Sequence, residues 1–137
     1  VHKETGMYFK PDYQAFYEAC DKDEPILPSL ISFSGLVKIF GLGHIQIWSG
    51  RCESVRDKTE EWLKRHLCLY GYCLPVLKMR PIGNHMCDEL LKEKWLDELI
   101  ANGEQVDMVF DDRPKVIRMW RRRGIFVFNC CQHDQEF

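Results

Sequence analysis

Three short stretches of this chain carry residues able to act on a phosphate group. The first is Asp111-Asp112, which ends the run VDMVFDDR at residues 106–113. Adjacent carboxylates repel each other, and each costs free energy to desolvate. A cation relieves both, and Mg²⁺ takes one or two carboxylates together with water and phosphate oxygens. A plain helix start explains the same residues, with Asp112 as the cap and Pro114 at the first helical position. The second stretch is Ser49-Gly50-Arg51, where a hydroxyl, a free amide and a guanidinium make a phosphate cradle; a turn with a surface arginine is the alternative. The third is Asp88 and Lys92, four apart and so on one helix face. They form either a solvated ion pair or an aspartate that positions an ammonium for charge balance on a phosphate.

These residues need strands and helices to hold them. Val106, Met108, Val109 and Phe110 predict a strand buried on both faces, and Asp111-Asp112 then sit at its carboxyl end, where open α/β sheets bind ligands. HIQIW at 44–48 predicts a strand running into Ser49-Gly50-Arg51. Val76–Met79 and Ile125–Phe128 predict two more. Between them, apolar spacing predicts helices at Tyr13–Cys20, at Pro28–Phe40 with Leu30, Ile31, Phe33, Leu36, Val37 and Phe40 inward, and at Ser54–His66. Ser54 and Asp57 resemble the start of a capping box there. Further helices are expected at Asp88–Ala101, with Leu91, Trp95, Leu96 and Leu99 inward, and at Pro114–Arg123. Residues 1–11 read as loop, and His2–Glu4 does not read as a strand. Alternation at this spacing argues for a parallel sheet with crossover helices, in one domain over 1–137.

Composition bounds the rest. The 137 residues, 45% hydrophobic and 29% charged, suit one soluble domain. A net charge of −2 offers no global attraction to nucleic acid or membrane. No apolar run reaches the roughly 20 residues of a transmembrane helix, so no membrane partner is expected. Seven cysteines without a C-x-x-C pair suit a reducing cytosol better than a disulfide framework, and their spacing fits no common zinc motif. Arg118, Arg121, Arg122 and Arg123, with Lys115, make a basic run that either contacts a nucleic-acid backbone or forms a solvated helix face with cations near its C-terminus. Trp62, Trp95 and Trp120 read as core.

Taken in order, hydroxyl plus arginine, then lysine, then paired aspartates resemble motifs two to four of the haloacid dehalogenase superfamily. The chain is similar to the 3′-phosphatase domain of phage polynucleotide kinases over nearly its whole length. HIQIWSGR resembles a strand ending in S/T-G-R. MRPIGNHMCDELLKEKWLDEL resembles M-R-x-x-G-D-x-R-x-D-D-x-x-K-x-x-x-L, and VFDDRPKVIRMWRRRGI resembles D-D-R-x-x-V-x-x-M-W-R-x-x-G. The resemblance implies a Rossmann-like α/β fold, a mostly parallel sheet with helices on both faces. It implies Mg²⁺-dependent hydrolysis of a phosphomonoester, on a nucleic-acid 3′-phosphate end or a nucleotide, in a bacterial or phage-infected host cytosol. Ser49, Gly50 and Arg51 would hold the phosphate. Lys92 would stabilise nucleophile and phosphate, oriented by Asp88; Asp111 would ligate Mg²⁺ directly and Asp112, also a catalytic candidate, would act on it directly or through water, with Arg113 supporting the loop. This suits phosphoryl transfer, which rests on positioning and charge neutralisation.

The sequence departs from the family at Asn84, where the pattern has Asp, and at Met86 and Cys87, where it has basic and polar residues. It departs more at the front. The family's nucleophile lies on a strand ending in D-x-D-G-T, and nothing before Asp12 fits. That strand is central in the family, so a chain without it exposes two inner sheet edges. The expectation is a domain incomplete at its N-terminus, its sheet completed by a missing segment or in a homo-oligomer. The alternative is a non-catalytic phosphate- or nucleic-acid-end-binding module, a pseudophosphatase. No G-x-x-x-x-G-K-S/T motif of an accompanying kinase occurs in these residues.

Overall fold

The computed structural model describes residues 2–4, 7–9, 27–67 and 74–132. The backbone falls into two compact units, Val1–Ile82 and Gly83–Phe137. The architecture is mixed α/β, built on short parallel strand pairs joined through helices.

The first unit opens with a hairpin, β1 (His2–Glu4) antiparallel to β2 (Met7–Phe9). His2–Glu4 and Met7–Phe9 are therefore strands where the sequence predicts loop. The two runs are separated in sequence by Thr5-Gly6, the link length that tight hairpins favour, and local pairing outweighs the polar composition of β1. The expected helix at Tyr13–Cys20 lies outside the described residues. Helix α1 (Leu27–Phe40) stops at Gly41, whose φ of +84° suits glycine, and the Gly41 amide donates to the Val37 carbonyl at 2.9 Å. Leu30 and Phe33 on its expected inner face pack on the core, whereas Ile31 and Phe40 are exposed.

Strand β3 (Gln46–Cys52) runs parallel to β4 (Val76–Arg80), with Ile47 opposite Leu77 and Cys52 opposite Arg80. The register slips between Trp48 and Cys52. Ser49-Gly50-Arg51 therefore does not follow the strand; it forms the irregular end of it. Helix α2 (Arg56–Leu67) crosses from β3 to β4 after a 3-10 turn at Glu53–Val55. Ser54 does not cap it: the Ser54 amide donates to Cys52 Sγ at 3.5 Å, which places Ser54 inside the turn. Val55, Leu63, Leu67, Leu77 and Met79 form the core, with Ile47 and Trp62 against it. Thr59 is buried with them, its hydroxyl donating to the Val55 carbonyl at 2.9 Å, so no polar atom is stranded there. Arg56 ties turn, helix and strand together through Glu53, Glu60 and the Leu77 carbonyl at 2.9 Å.

The second unit contains α3 (Asp88–Ala101), β5 (Met108–Asp111), α4 (Pro114–Arg122) and β6 (Phe126–Asn129). Helix α3 has the bounds its periodicity predicts, and Leu91, Trp95, Leu96 and Leu99 are its buried positions. Strands β5 and β6 pair in parallel, Met108 with Phe126 through Asp111 with Asn129. Val116, Ile117, Met119 and Trp120 of α4 are buried, as is Val127 of β6. Each such side chain stabilises the unit by about 1.5–3 kcal/mol relative to exposure. The expectation that β5 is buried on both faces fails here. Met108, Phe110, Phe126 and Phe128 are exposed, with Phe110 and Phe128 stacked at 4.6 Å. Alternation puts them on one face, while Val109 and Val127 take the other. Among the described residues β3–β4 and β5–β6 are separate two-stranded sheets, and no described strand pairs with their outer edges.

Candidate phosphate and metal site

Asp111 is the centre of the second unit. It is the last residue of β5, and its side chain is only 5% exposed. A buried carboxylate is costly unless hydrogen-bonded. Here four N–H groups meet it. The Asp112 and Arg113 amides donate to Oδ1 at 2.9 and 3.3 Å. Lys92 Nζ and the Trp120 indole donate to Oδ2 at 2.9 and 3.4 Å. The Asp111 carbonyl also accepts from the Cys130 amide at 2.8 Å, which fixes the strand end to the residue after β6.

This arrangement answers the capping alternative. The residue before α4 is Arg113, and no side chain caps the helix by a hydrogen bond. The carboxylate at the helix start is that of Asp111, reaching forward to two amides, and Asp112 is exposed. Neither acid of the pair caps the helix; Asp111 instead holds the two amides that lead into it.

Lys92 reaches Asp111 from the first turns of α3, its own side chain 13% exposed. Asp88, one turn earlier, forms an ion pair with Arg113. The two members of the expected Asp88–Lys92 pair thus each bind the loop after β5, one through Asp111 and one through Arg113. Asp88, Lys92, Asp111, Asp112 and Arg113 are brought together within this unit.

Ser49, Gly50 and Arg51 lie in the first unit. The Arg51 amide donates to Ser49 Oγ at 3.1 Å, and all three residues are half-buried. The sequence reading missed Arg80. It ends β4 and is buried, and its Nε donates to the Gly50 carbonyl at 2.9 Å. A guanidinium thereby fixes the backbone of the irregular S-G-R segment from the neighbouring strand. The signal was an arginine directly closing an apolar strand, within the M-R pair already noted. Trp120 was read as core; its indole N–H on Asp111 was not foreseen.

Asp111 and Asp112 offer hard carboxylate oxygens, the donor type that Mg²⁺ prefers. Asp112 is open to solvent, and Asp111 Oδ2 is shared with a lysine, so the donor set fits one such ion with water completing its shell. Among the described residues no group of three or more His, Cys, Asp or Glu side chains is placed to hold a metal. Cys130, next to the pair, has its thiol pKa pushed up by burial, and then by the charges of Asp112 and Asp111. The basic run of α4 is engaged at its end: Arg122 and Arg123 pair with Glu93 at 2.9 Å each, and Arg123 with Asp97 at 2.6 Å. No helix among the described residues is long and apolar enough to cross a membrane.

Comparison with known proteins agrees with this geometry. Residues 14–135 match the family model of the polynucleotide kinase PNKP phosphatase domain. Over 94 residues the chain is 37% identical to a protein of Autographa californica nuclear polyhedrosis virus that carries the name bifunctional polynucleotide kinase/RNA ligase. That match covers 68% of this chain and 13% of the viral protein. Among solved structures, a chain of the Pnkp1/Rnl/Hen1 RNA repair complex matches 92% of this one with a TM-score of 0.72 and 25% identity. A second structure of the Pnkp1/Rnl/Hen1 complex matches 87% with a TM-score of 0.70 and 27% identity. This chain spans 38% and 40% of those two chains. With the whole stretch from the strand ending in S-G-R to β6 inside the matched region, the chain belongs to the family of PNKP-type phosphatase domains of the haloacid dehalogenase kind.

Proposed function

We propose that this domain is the phosphatase part of a polynucleotide end-processing protein, hydrolysing a 3′-phosphomonoester on a nucleic-acid end or a nucleotide with Mg²⁺. The observation that carries this reading is the buried Lys92–Asp111 pair at the carboxyl end of β5, with Asp112 exposed beside it. Asp111 and Asp112 would hold the Mg²⁺, which when bound supplies charge neutralisation to the phosphate oxygens. Ser49, the Gly50 amide and Arg51 would bind the phosphate, with Arg80 holding that segment in shape. Lys92 would balance charge on the phosphate and on the attacking carboxylate. Asp88 would act on the site through Arg113, which it anchors to the start of α3.

The family's route passes through an aspartyl-phosphate, and its nucleophile belongs to a D-x-D-G-T strand. Residues 1–11 contain no such motif. We place the nucleophile outside these 137 residues, in adjoining sequence or on a partner chain. The relatives' names, a polynucleotide kinase/RNA ligase and an RNA repair complex, support a nucleic-acid end as the substrate.

The test is Mg²⁺-dependent phosphate release from a 3′-phosphorylated oligonucleotide, with Asp111→Asn beside the wild type. Turnover that Asp111→Asn lowers by about 10²–10³, the loss typical of removing one electrostatic stabiliser, supports the reading. Binding of the 3′-phosphorylated end without turnover, unchanged when upstream sequence is restored, would replace it with a pseudophosphatase.

A further inference from the structure

Helix α4 is divided sharply into an apolar side and a charged one. Val116, Ile117, Met119 and Trp120 are buried, while Lys115, Arg118, Arg121 and Arg122 are exposed. At about 100° per residue the two sets fall on separate arcs of the helix. Every exposed position from 115 to 122 is therefore cationic. No acidic residue occurs from Arg113 to His133 to dilute that charge. The exposed side of α3 differs, since Lys94, Asp97 and Glu98 mix both signs there, as ordinary solvated surfaces do.

The helix itself does not call for these charges. Cations stabilise a helix near its last turn, but Lys115 is the second residue of α4, where the macrodipole opposes it, and Arg118 lies mid-helix. Arg122 is used within the fold, on Glu93. Lys115 and Arg121 carry the face from one end of α4 to the other, about 9 Å along its axis. Arg118 lies between them, and five N–H donors let a guanidinium serve more than one acceptor. A spread of that length suits successive phosphates, about 3.4 Å apart along a stacked strand, better than one small anion. The overall charge of −2 does not cancel the patch, because exposed charges more than about 10 Å away are screened at 0.1 M salt. The face begins three residues after Asp112, beside the candidate site.

We propose that the outer face of α4, with Lys115, Arg118 and Arg121, is a track for the phosphate backbone of a single-stranded nucleic acid. It takes the nucleotides that precede the end presented to Asp111 and Asp112. The proposal rests on the reading of the substrate as a nucleic-acid end and adds where the rest of the strand lies. It reads no base, so binding along it is independent of sequence.

The test is fluorescence anisotropy of the 137-residue chain with a labelled oligouridylate of about 12 nucleotides carrying a 3′-hydroxyl, in EDTA, over about 0.05–0.2 M salt. Each phosphate contact on a single strand contributes about 0.7 to the slope of log K against log salt. Lys115→Gln, Arg118→Gln and Arg121→Gln should each weaken binding about fivefold at 0.1 M salt, and the triple variant should lose about 2 from the slope. Lys94→Gln makes the same change of charge on α3 and should leave both quantities where they were. Wild-type affinity and slope in the triple variant overturn the track, as does an equal loss in Lys94→Gln, which would make the effect one of net charge. A wild type that does not bind the strand overturns it as well. If the triple variant does not fold, Lys115→Gln and Arg121→Gln singly decide by the same criteria. Phosphate release from the 3′-phosphorylated oligonucleotide is read separately. Release with no effect of the α4 substitutions on strand binding removes the track and keeps the phosphatase reading; track-dependent binding without release does the reverse.

Discussion

Lys92 and Glu93 are neighbours on one helix, and each makes ion pairs to an element more than 15 residues away in sequence. Lys92 turns inward to Asp111, where both side chains are nearly removed from water. Glu93 turns outward to Arg122 and Arg123 at the end of α4, where Arg122 is largely exposed. The chemistry is the same, a carboxylate with a cation at 2.9 Å, but the surroundings differ. In water a pair at this distance stabilises little, because solvent screens it and two long side chains must be ordered. Removed from water, neither partner can be deleted cheaply, because the survivor keeps its desolvation cost. The outer cluster fastens α4 to α3; the inner pair holds charge in a place where charge is expensive, which is what a phosphate or metal site requires.

Urea denaturation tests the comparison at its extreme. Lys92→Met, assayed without metal, is expected to lose about 3–5 kcal/mol of stability, the cost of orphaning a buried charge. The double change with Asp111→Asn should recover part of that loss. If Lys92→Met costs no more than Glu93→Gln, the contrast between the two pairs collapses. On the outer side, Glu93→Gln should cost under about 1 kcal/mol, since the pair is solvent-exposed. Its pH dependence has a definite sign. Arg122 and then Arg123 hold the Glu93 pKa at about 2, below the ordinary 4.5. Its contribution is therefore present in full above about 4.5 and lost as the pH falls towards about 2. The wild type should approach the stability of Glu93→Gln below that window, and 1 M salt should shrink the difference at pH 7.

A smaller effect reads the inner field directly. Cys130 titrates high because it is buried and faces the charges of Asp112 and Asp111. Asp112→Asn should lower that pKa and speed alkylation of Cys130 at pH 8, followed by peptide mass spectrometry against exposed Cys87 in the same molecule. An unchanged ratio would mean that Asp112 contributes no field at the strand end.

The parts legible from sequence were those with a local cause. Helix α3 was read to the residue because Leu91, Trp95, Leu96 and Leu99 repeat with the helical period and Asn102-Gly103 supplies a stop. The paired aspartates were found because an apolar run ending in two acids is rare without a reason. What was missed depended on which neighbours the strands take. Periodicity along β4 says nothing of Arg80 reaching the Gly50 carbonyl 30 residues away. Trp120 was called core, which is true of its ring and silent about its nitrogen. The cap expected of Asp112 does not form, because spacing does not show that the first acid of the pair takes the Asp112 and Arg113 amides ahead of the helix. The hairpin of β1 and β2 was missed because three-residue strands fall below any periodic signal.

The exposed phenylalanines of β5 and β6 have a consequence for the chain before it is folded. Ile125–Phe128, IFVF, is a short apolar run of strand-forming residues without charge, the type of segment that stacks with its own copies in an amyloid-like cross-β array. Directly before it stand Arg121, Arg122 and Arg123, followed by Gly124. In the native state two of these arginines are occupied by Glu93 and Asp97. On a ribosome or in a refolding tube they are bare positive charges flanking the run, where stacking in register would bring like charges together at every layer. The same arginines thus act as gatekeepers during folding and as fasteners after it, and neutralising them should show first as lost soluble yield.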